Sequence, residues 1–234
     1  MTGSYQYGAE LIQYDVLYLP RKTMEIAVYP DLKVVIRSPL HVSQEEIKQK
    51  IKKRAKWITK QIRYFRQFDP RTPARSYISG ETHLYLGRQY RLKIIAGKES
   101  SVKLYRGKIV VLLEGTSQKK QVKEYLDSWY VEKAREKFKQ SLERCMPKLS
   151  KMKFKQPLLH IRAMRSRWGS LSKNGTLTLN PVLIRAPKEC IDYVITHELC
   201  HMKYHDHSKQ FYELLDNVMP DWEKRKHRLE LALM

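Results

Sequence analysis

Apolar residues recur at three- and four-residue intervals in four stretches of the chain, and this spacing predicts amphipathic helices. The first helix follows Ser43 and Glu46, which have the spacing of a capping box. The second covers about residues 118–144, the third follows Pro187, and the fourth begins near residue 207, where Asp206 or Ser208 can serve as its N-cap. The chain is therefore expected to be rich in helix.

Other stretches alternate apolar and polar residues, which is the pattern of β-strands. Residues 11–37 contain short β-branched runs separated by charged turns, and residues 84–113 alternate around an Arg106–Gly107 turn. We interpret the second region as an antiparallel β meander. A further strand is predicted at Thr176–Asn180, just before the third helix, as an edge strand that binds an extended peptide through its backbone.

These elements predict an α+β fold in which N-terminal strands and helices precede a C-terminal core. The predicted divisions are 1–75 for the N-terminal strands and basic helix, 76–150 for the meander and long helix, and 151–234 for the core. All three parts can also form one compact domain. The stretch from Asp69 to Pro73 is the expected linker, and no internal repeat is apparent in the sequence.

Composition narrows the class of protein. With 234 residues and 42% hydrophobic content, the chain can bury a sizeable core, and it has no apolar run long enough to span a membrane. The N-terminus lacks the pattern of a signal peptide. Three cysteines, an odd number without paired spacing, suit a reducing compartment, so we expect a cytoplasmic protein with free thiols.

The net charge of +22 is spread along the whole chain and attracts polyanions. Nucleic acid is one such partner, although a solvated helix face is the preferred interpretation of the lysines on the first predicted helix. The densest positive segment, residues 151–168, has six basic residues and no acidic one. Either Arg165 or Arg167 binds a substrate carboxylate or phosphate there, or both are structural or surface residues.

The most specific chemical signal is His197-Glu198-Leu-Cys-His201. Four residues on a helix turn the chain by about 400°, so the two histidines lie about 40° apart on one face and can share one metal ion. Glu198 then lies beside the ion's open position and can act on water. A helix can also carry two such histidines with no metal. Cys200 projects elsewhere and is expected to be buried.

A third ligand is needed for a catalytic zinc site, and His205 and His207 are the candidates. On a continuous helix His205 would lie too far along the axis, so a turn must intervene. His207, at the first turn of the new helix, is the preferred ligand. The predicted function is a zinc metallopeptidase in which Glu198 is general base and acid. The alternatives are a basic nucleic-acid-binding module with a structural metal, a DNA-associated protease, and a metal-dependent amidase acting on a non-peptide bond.

Several motifs together resemble the YgjP-like zinc metallopeptidases, bacterial relatives of the SprT-type proteases. They are Arg167-Trp-Gly-Ser, Leu177-Thr-Leu-Asn180, Ala186-Pro187, Ile191-Asp-Tyr-Val194, His197-Glu-Leu-Cys-His201 and His207-Ser208 with Phe211-Tyr212, and earlier Tyr85-Leu-Gly-Arg88 with Tyr90. The resemblance is strongest over residues 157–215, and it implies that the C-terminal core is a zincin-like catalytic core with an edge strand and the HExxH helix.

The resemblance implies Zn²⁺ as cofactor, His197, His201 and His207 as its ligands, Glu198 as the catalytic residue and a peptide or protein as substrate. Two positions depart from the pattern: Leu171 stands where cysteine is common and Tyr212 where tryptophan is common. The predicted substrate-binding residues are Arg165, Arg167, Asn180 and Tyr212, and Arg167 and Tyr212 are also candidates for stabilising an oxyanion.

Overall fold

A computed structural model describes residues 2–29, 31–67, 75–115, 118–152, 154–165 and 167–233. They form a mixed α+β structure in two compact units, Met1–Thr72 and Pro73–Leu233. The predicted linker from Asp69 to Pro73 lies outside the described residues. Among the described helices, none has the length and apolar character needed to cross a membrane.

The first unit is a four-stranded sheet with one helix on it. Its strands are β1 (Thr2–Tyr7), β2 (Glu10–Leu19), β3 (Glu25–Val28) and β4 (Val34–Pro39), in the order β1-β2-β4-β3, and the helix is α1 (Gln44–Arg66). The predicted capping box is confirmed, because the Ser43 Oγ accepts from the Glu46 N–H and the Glu46 carboxylate accepts from the Ser43 N–H. The core joins α1 to alternate strand residues: Ile12, Tyr14, Val16, Val34 and Ile36 with Ile47, Ile51, Ala55 and Ile58.

The second unit begins with another four-stranded sheet, followed by a long helix. The strands are β5 (Thr82–Tyr85), β6 (Arg88–Ala96), β7 (Ser101–Tyr105) and β8 (Lys108–Leu113), and the helix is α2 (Lys119–Cys145). Their order is β5-β6-β8-β7, with β6 and β8 parallel. The antiparallel meander that we expected is therefore wrong. Alternation of apolar residues predicts strands, but it does not say that β8 inserts between β6 and β7.

The two units share one topology, although the sequence shows no repeat. In both, the outer strand pairs are antiparallel, the central pair is parallel, and a helix follows. At the start of each helix the N-cap N–H donates to the side chain three residues on, Ser43 to Glu46 and Gln118 to Gln121, and Ser43 and Gln118 stand 75 positions apart. The buried residues Ile51 and Leu126 have the same offset. The described residues therefore contain the same ββββα topology twice, although no repeat is apparent in the sequence.

The C-terminal part of the second unit contains a small sheet and three helices. Its strands are β9 (Leu158–Ile161), β10 (Gly169–Leu171) and β11 (Thr176–Leu179), in the order β10-β11-β9. A 3₁₀ helix (Met146–Met152) precedes them, and a second 3₁₀ helix (Pro181–Arg185), α3 (Lys188–Cys200), α4 (Lys209–Val218) and α5 (Trp222–Leu233) follow. The predicted strand before α3 exists as β11, but β11 is central. The two edge strands are β9 and β10, and sequence alternation could not indicate β10 because it has only three residues.

Helix α3 is held in place from two sides. On one side, the Asp192 carboxylate accepts hydrogen bonds from Ser141 and from Arg144 of α2, the latter at 2.9 Å. At its start, the Leu86 and Gly87 N–H groups of the β5–β6 turn donate to the carbonyls of Ile184 and Arg185. A side chain on Gly87, which has φ +77°, would also meet Pro187 at 2.7 Å. These contacts fix the helix that carries the metal motif.

Candidate metal centre

Three histidine side chains converge at the C-terminal end of α3. His197 lies in the last turn of the helix, His201 is its C-cap residue, and His207 lies just before α4. Each offers a ring nitrogen, and these nitrogens all lie within 4.8 Å of one another. The Nε2 atoms of His197 and His207 are 3.0 Å apart. This is the arrangement that one shared metal ion requires.

A tight turn after α3 makes the convergence possible. The helix ends at Cys200, and the His201 and Met202 N–H groups donate to the Glu198 and Leu199 carbonyls as the chain turns away. The His201 Nδ1 lies 2.8 Å from the Tyr204 carbonyl oxygen, and donation there leaves Nε2 free for a metal. Helix α4 begins at Lys209 with Ser208 as N-cap. The sequence suggested that His207 lies in the first turn of this helix. In the structure His207 precedes the helix.

The ring of Phe211, on α4, packs against all three imidazoles. Its centroid lies 4.9 Å from the His197 ring, 4.6 Å from the His201 ring and 4.9 Å from the His207 ring. The side chain is fully buried, with 0% exposure. Phe211 therefore joins the segment that carries His207 to the helix that carries the other two histidines.

Burial favours the neutral form of His197 and His207. It lowers the pKa of His197 to about 3, with further lowering by the charges of His201 and His207, and it also lowers the pKa of His207. A neutral imidazole is the form that binds a metal. The buried His197 Nδ1 finds no hydrogen-bond partner among the described residues. Three imidazole nitrogen donors at this spacing fit a divalent ion such as zinc.

Glu198 lies beside the three histidines and is itself buried, with 9% exposure. Burial raises the pKa of its carboxyl to about 7, while a hydrogen bond from the Leu171 N–H and the positive charge of Arg167 oppose this rise. A carboxyl with a pKa near neutrality can both take and return a proton. The position therefore has the properties of a general base and acid.

Strand β10 passes directly over Glu198, and only glycine fits at the crossing point. A Cβ on Gly169 would lie 2.9 Å from Glu198 Cγ, 3.0 Å from its Oε1 and 3.1 Å from Val194 Cγ1. The next residue but one, Leu171, donates its N–H to the same carboxylate. The strand therefore sets the position of Glu198 through its backbone.

An open cleft gives access to this group of residues. Its lining residues come from two parts of the chain. The first part is residues 167–171 with Lys173, and the second part supplies Tyr193, Val194, His197, Glu198, His201, His205 and His207. The Tyr193 ring lies edge-on to His197 at 5.9 Å and stacks on Trp222 at 6.3 Å. A substrate entering the cleft therefore meets the strand β10 on one wall and the histidines on the other.

The predicted substrate-binding residues are placed differently from one another. Arg167 lines the cleft, whereas Arg165 is exposed and is not part of the lining. Tyr212 is exposed, with its ring 6.1 Å from the His207 ring and stacked on Trp222 at 5.5 Å. His205, the rejected third ligand, is exposed and lines the cleft outside the histidine group.

Asn180 is buried, and its side chain binds the backbone at Met164 and Arg167. Its Nδ2 donates to the carbonyls of Met164, at 2.8 Å, and Arg167, at 3.1 Å, and its Oδ1 accepts from the Val182 N–H. The side chain is 4% exposed and is absent from the lining of the cleft. The structure thus places Asn180 where it positions Arg167 and not where it contacts a substrate directly.

Sequence reasoning assigned no role to several residues that shape the site. Gly169 and Leu171 act through backbone geometry, and Phe211 and Tyr193 through packing. The glycine after Trp168 was visible as part of a motif, but its proximity to Glu198 depends on the pairing of β10. Cys200 is fully buried, as expected, and burial raises the pKa of its thiol to about 12.

Comparison with known proteins agrees with this geometry. The model of a protein family described as YgjP-like, metallopeptidase domain, matches residues 22–232. The chain belongs to this family. Membership implies a metal ion, and the His197, His201 and His207 group is where the described residues can bind one.

Among individual proteins, a 72-residue stretch is 31% identical to the UTP pyrophosphatase of Escherichia coli strain K12. The match covers 31% of this chain and 41% of that protein, so it spans about two fifths of the relative's length.

Two solved structures are also similar to part of the chain. The metallopeptidase zymogen abylysin of Pyrococcus abyssi is 26% identical with a TM-score of 0.38, covering 41% of this chain and 94% of its own. Jannalysin of Methanocaldococcus jannaschii is 22% identical with a TM-score of 0.37, covering 42% and 90%. Scores of this size do not establish a common fold for the whole chain.

The close approach of β10 to Glu198 yields a test. We expect Gly169→Ala to lower kcat by about 100-fold, because displacement of a catalytic group by about 1 Å has an effect of this order. Bound metal, measured by elemental analysis, should be unchanged. Gly97→Ala is the matched control, since its Cβ would meet only ordinary contacts of 3.5 Å. Equal activity of the two variants would contradict the positioning role of Gly169.

Proposed function

We propose that the protein is a zinc-dependent peptidase in which His197, His201 and His207 hold the ion and Glu198 transfers protons. The observation that supports this most directly is the buried Glu198 carboxylate beside three converging imidazoles in an open cleft. Structural zinc sites usually have four protein ligands, whereas catalytic ones have three and an open position. The donor set here is of the second kind.

Zinc, when bound, supplies a Lewis acid that makes water a better nucleophile and polarises the carbonyl of the substrate. The remaining steps belong to the chain's own groups. Glu198 takes a proton on its carboxylate as water attacks the peptide carbonyl, and returns it to the amine that leaves. The Leu171 N–H keeps the carboxylate oriented in the cleft.

Strand β10 and Arg167 are the proposed substrate contacts. Within the part of the chain that the structure describes, β10 pairs on one side only, with β11, and it lines the cleft. An extended peptide can add to such an edge through backbone hydrogen bonds. The carbonyl of Arg167 accepts a hydrogen bond from Asn180. The guanidinium of Arg167 is the proposed contact for a carboxylate or phosphate of the substrate.

A second candidate function is hydrolysis of a nucleoside triphosphate at the same site. One specific observation favours it: the chain resembles a protein named UTP pyrophosphatase, and two cations, Arg167 and Lys173, line the cleft. A metal ion and cations of this kind also stabilise charge on phosphoryl groups. A nucleic-acid-binding module with a structural metal is not favoured, because the three-histidine site leaves a ligand position open.

Substrate profiling distinguishes the two reactions. The zinc-loaded protein would be incubated with a peptide library and, separately, with UTP and the other nucleoside triphosphates. We expect peptide cleavage, which mass spectrometry detects as new termini. Release of pyrophosphate from UTP without peptide cleavage would show that the site hydrolyses nucleoside triphosphates instead of peptides. Cleavage only of small non-peptide amides would indicate an amidase.

The role of Glu198 is tested by Glu198→Gln. This change keeps the size of the side chain but removes the proton acceptor, so we expect turnover to fall by about 100- to 10,000-fold. Zinc content, measured by elemental analysis, should remain that of the unmodified protein. A variant that retains full activity would refute the proposed proton transfer.

The identity of the third ligand is tested by a pair of histidine variants. His207→Ala should lower zinc affinity in a chelator competition, because it removes one of three nitrogen donors. His205→Ala removes an exposed histidine two positions away and should leave zinc affinity as it was. The opposite ranking would assign the ligand to His205.

A further inference from the structure

A groove in the first unit has no part in the proposed reaction. It lies between helix α1 and the edge strand β3, and its lining residues are Met24, Ile26, Lys50, Arg54 and Trp57. Met24 and Ile26 pack against the core of this unit and supply an apolar wall. The groove therefore combines an apolar surface, two cations and an aromatic ring.

The two cations and the indole lie on the same side of α1. Their spacing of four and three residues places Lys50, Arg54 and Trp57 within about 60° of one another around the helix axis. The Trp57 side chain is 40% exposed, which is a large apolar surface to leave in water. Both cations are exposed, and neither has a carboxylate partner among the described residues. All three side chains are therefore available to a ligand.

The surroundings of the groove are positive. From Lys48 to Arg66, α1 has nine basic residues and no acidic one. The carboxylate next to the groove, on Glu25, forms ion pairs with Arg21 at 2.9 Å and Arg37 at 3.1 Å. A ligand longer than the groove thus continues to meet positive charge along the helix.

The ββββα topology does not require two cations and an exposed indole on its helix. At the positions offset by 75 residues, the second copy has Tyr125, Trp129 and Glu132. Trp129 is buried in the core of the second unit, and Glu132 replaces the exposed indole with a negative charge. The cation and indole group is therefore a property of the first copy alone.

We propose that this groove binds single-stranded nucleic acid. A base stacks on the exposed face of Trp57, Lys50 and Arg54 contact adjacent phosphates, and the remaining lysines of α1 attract the strand beyond the groove. Stacking of a base on Trp57 favours nucleic acid over an acidic peptide, because an acidic peptide carries negative charge but has no bases to stack on the indole. A single strand is selected over a duplex because paired bases do not expose their faces.

The test measures binding of the full-length chain to a fluorescently labelled oligothymidine of about 12 nucleotides, a length within the range that single-strand sites cover. Lys50→Ala/Arg54→Ala should weaken binding at least about tenfold. It should also reduce the slope of log affinity against log salt by about 1.4, the value for two lost phosphate contacts.

Trp57→Leu should weaken binding about fivefold or more without changing the salt slope, and Trp57→Phe should restore most of it, because stacking is independent of counterion release. The matched control is Lys48→Ala/Lys52→Ala, which removes two charges at the same spacing from the opposite side of the helix. It should have a smaller effect than the groove pair. Circular dichroism verifies that each variant is folded.

Four results would overturn the proposal. Equal losses in the two double variants would show a diffuse charge effect, and an unaffected Trp57→Leu would remove the stacking contact. Equal affinity for a duplex, or for UTP, would exclude a single strand as the selected ligand. Binding to phosphatidylserine vesicles or to oligoglutamate with the same Trp57 dependence would assign the groove to another partner. None of these outcomes depends on which reaction the metal centre catalyses.

Discussion

The packing of Phe211 against three imidazoles is the contact on which the candidate metal centre depends. Two of the histidines belong to one helix and are brought together by local geometry, but His207 arrives from a separate segment. The ring that touches all three links α4 to α3 and leaves the free nitrogens facing one point. Since the ring is apolar, it also removes water from one side of the site, and burial of this kind favours the neutral form of His197.

Burial has opposite effects on the two kinds of titratable group, and both effects suit the proposed chemistry. It lowers the pKa of His197, which keeps a lone pair for a metal, and raises that of Glu198, which brings its proton transfer close to neutral pH. The edge strand β10 contributes to the burial of Glu198, because Gly169 permits close contact, while the Leu171 N–H orients the carboxylate and partly opposes the rise in its pKa.

The repeated ββββα topology serves two purposes. In the second copy, α2 contributes Phe138, Leu142 and Cys145 to the same core as α3, and Ser141 and Arg144 bind Asp192 of that helix. The residues of α1 at the corresponding positions include Arg63 and Arg66, which are exposed. Similar backbones thus support a catalytic core in one case and a positively charged surface in the other.

Local information in the sequence predicted α1 to α4, but not α5, together with the capping box at Ser43 and the histidine spacing on α3, because each of these depends on residues within one or two turns of the chain. Only the tertiary structure decided which strands are neighbours: it placed β8 beside β6, put β10 and not β11 at the edge, and used Asn180 to hold a loop. The same holds for the repeated ββββα topology, which is visible in strand pairing and not in the sequence. Strand pairing and the approach of Gly169 to Glu198 join residues distant along the chain, and alternation of polar and apolar positions contains no information about such partners.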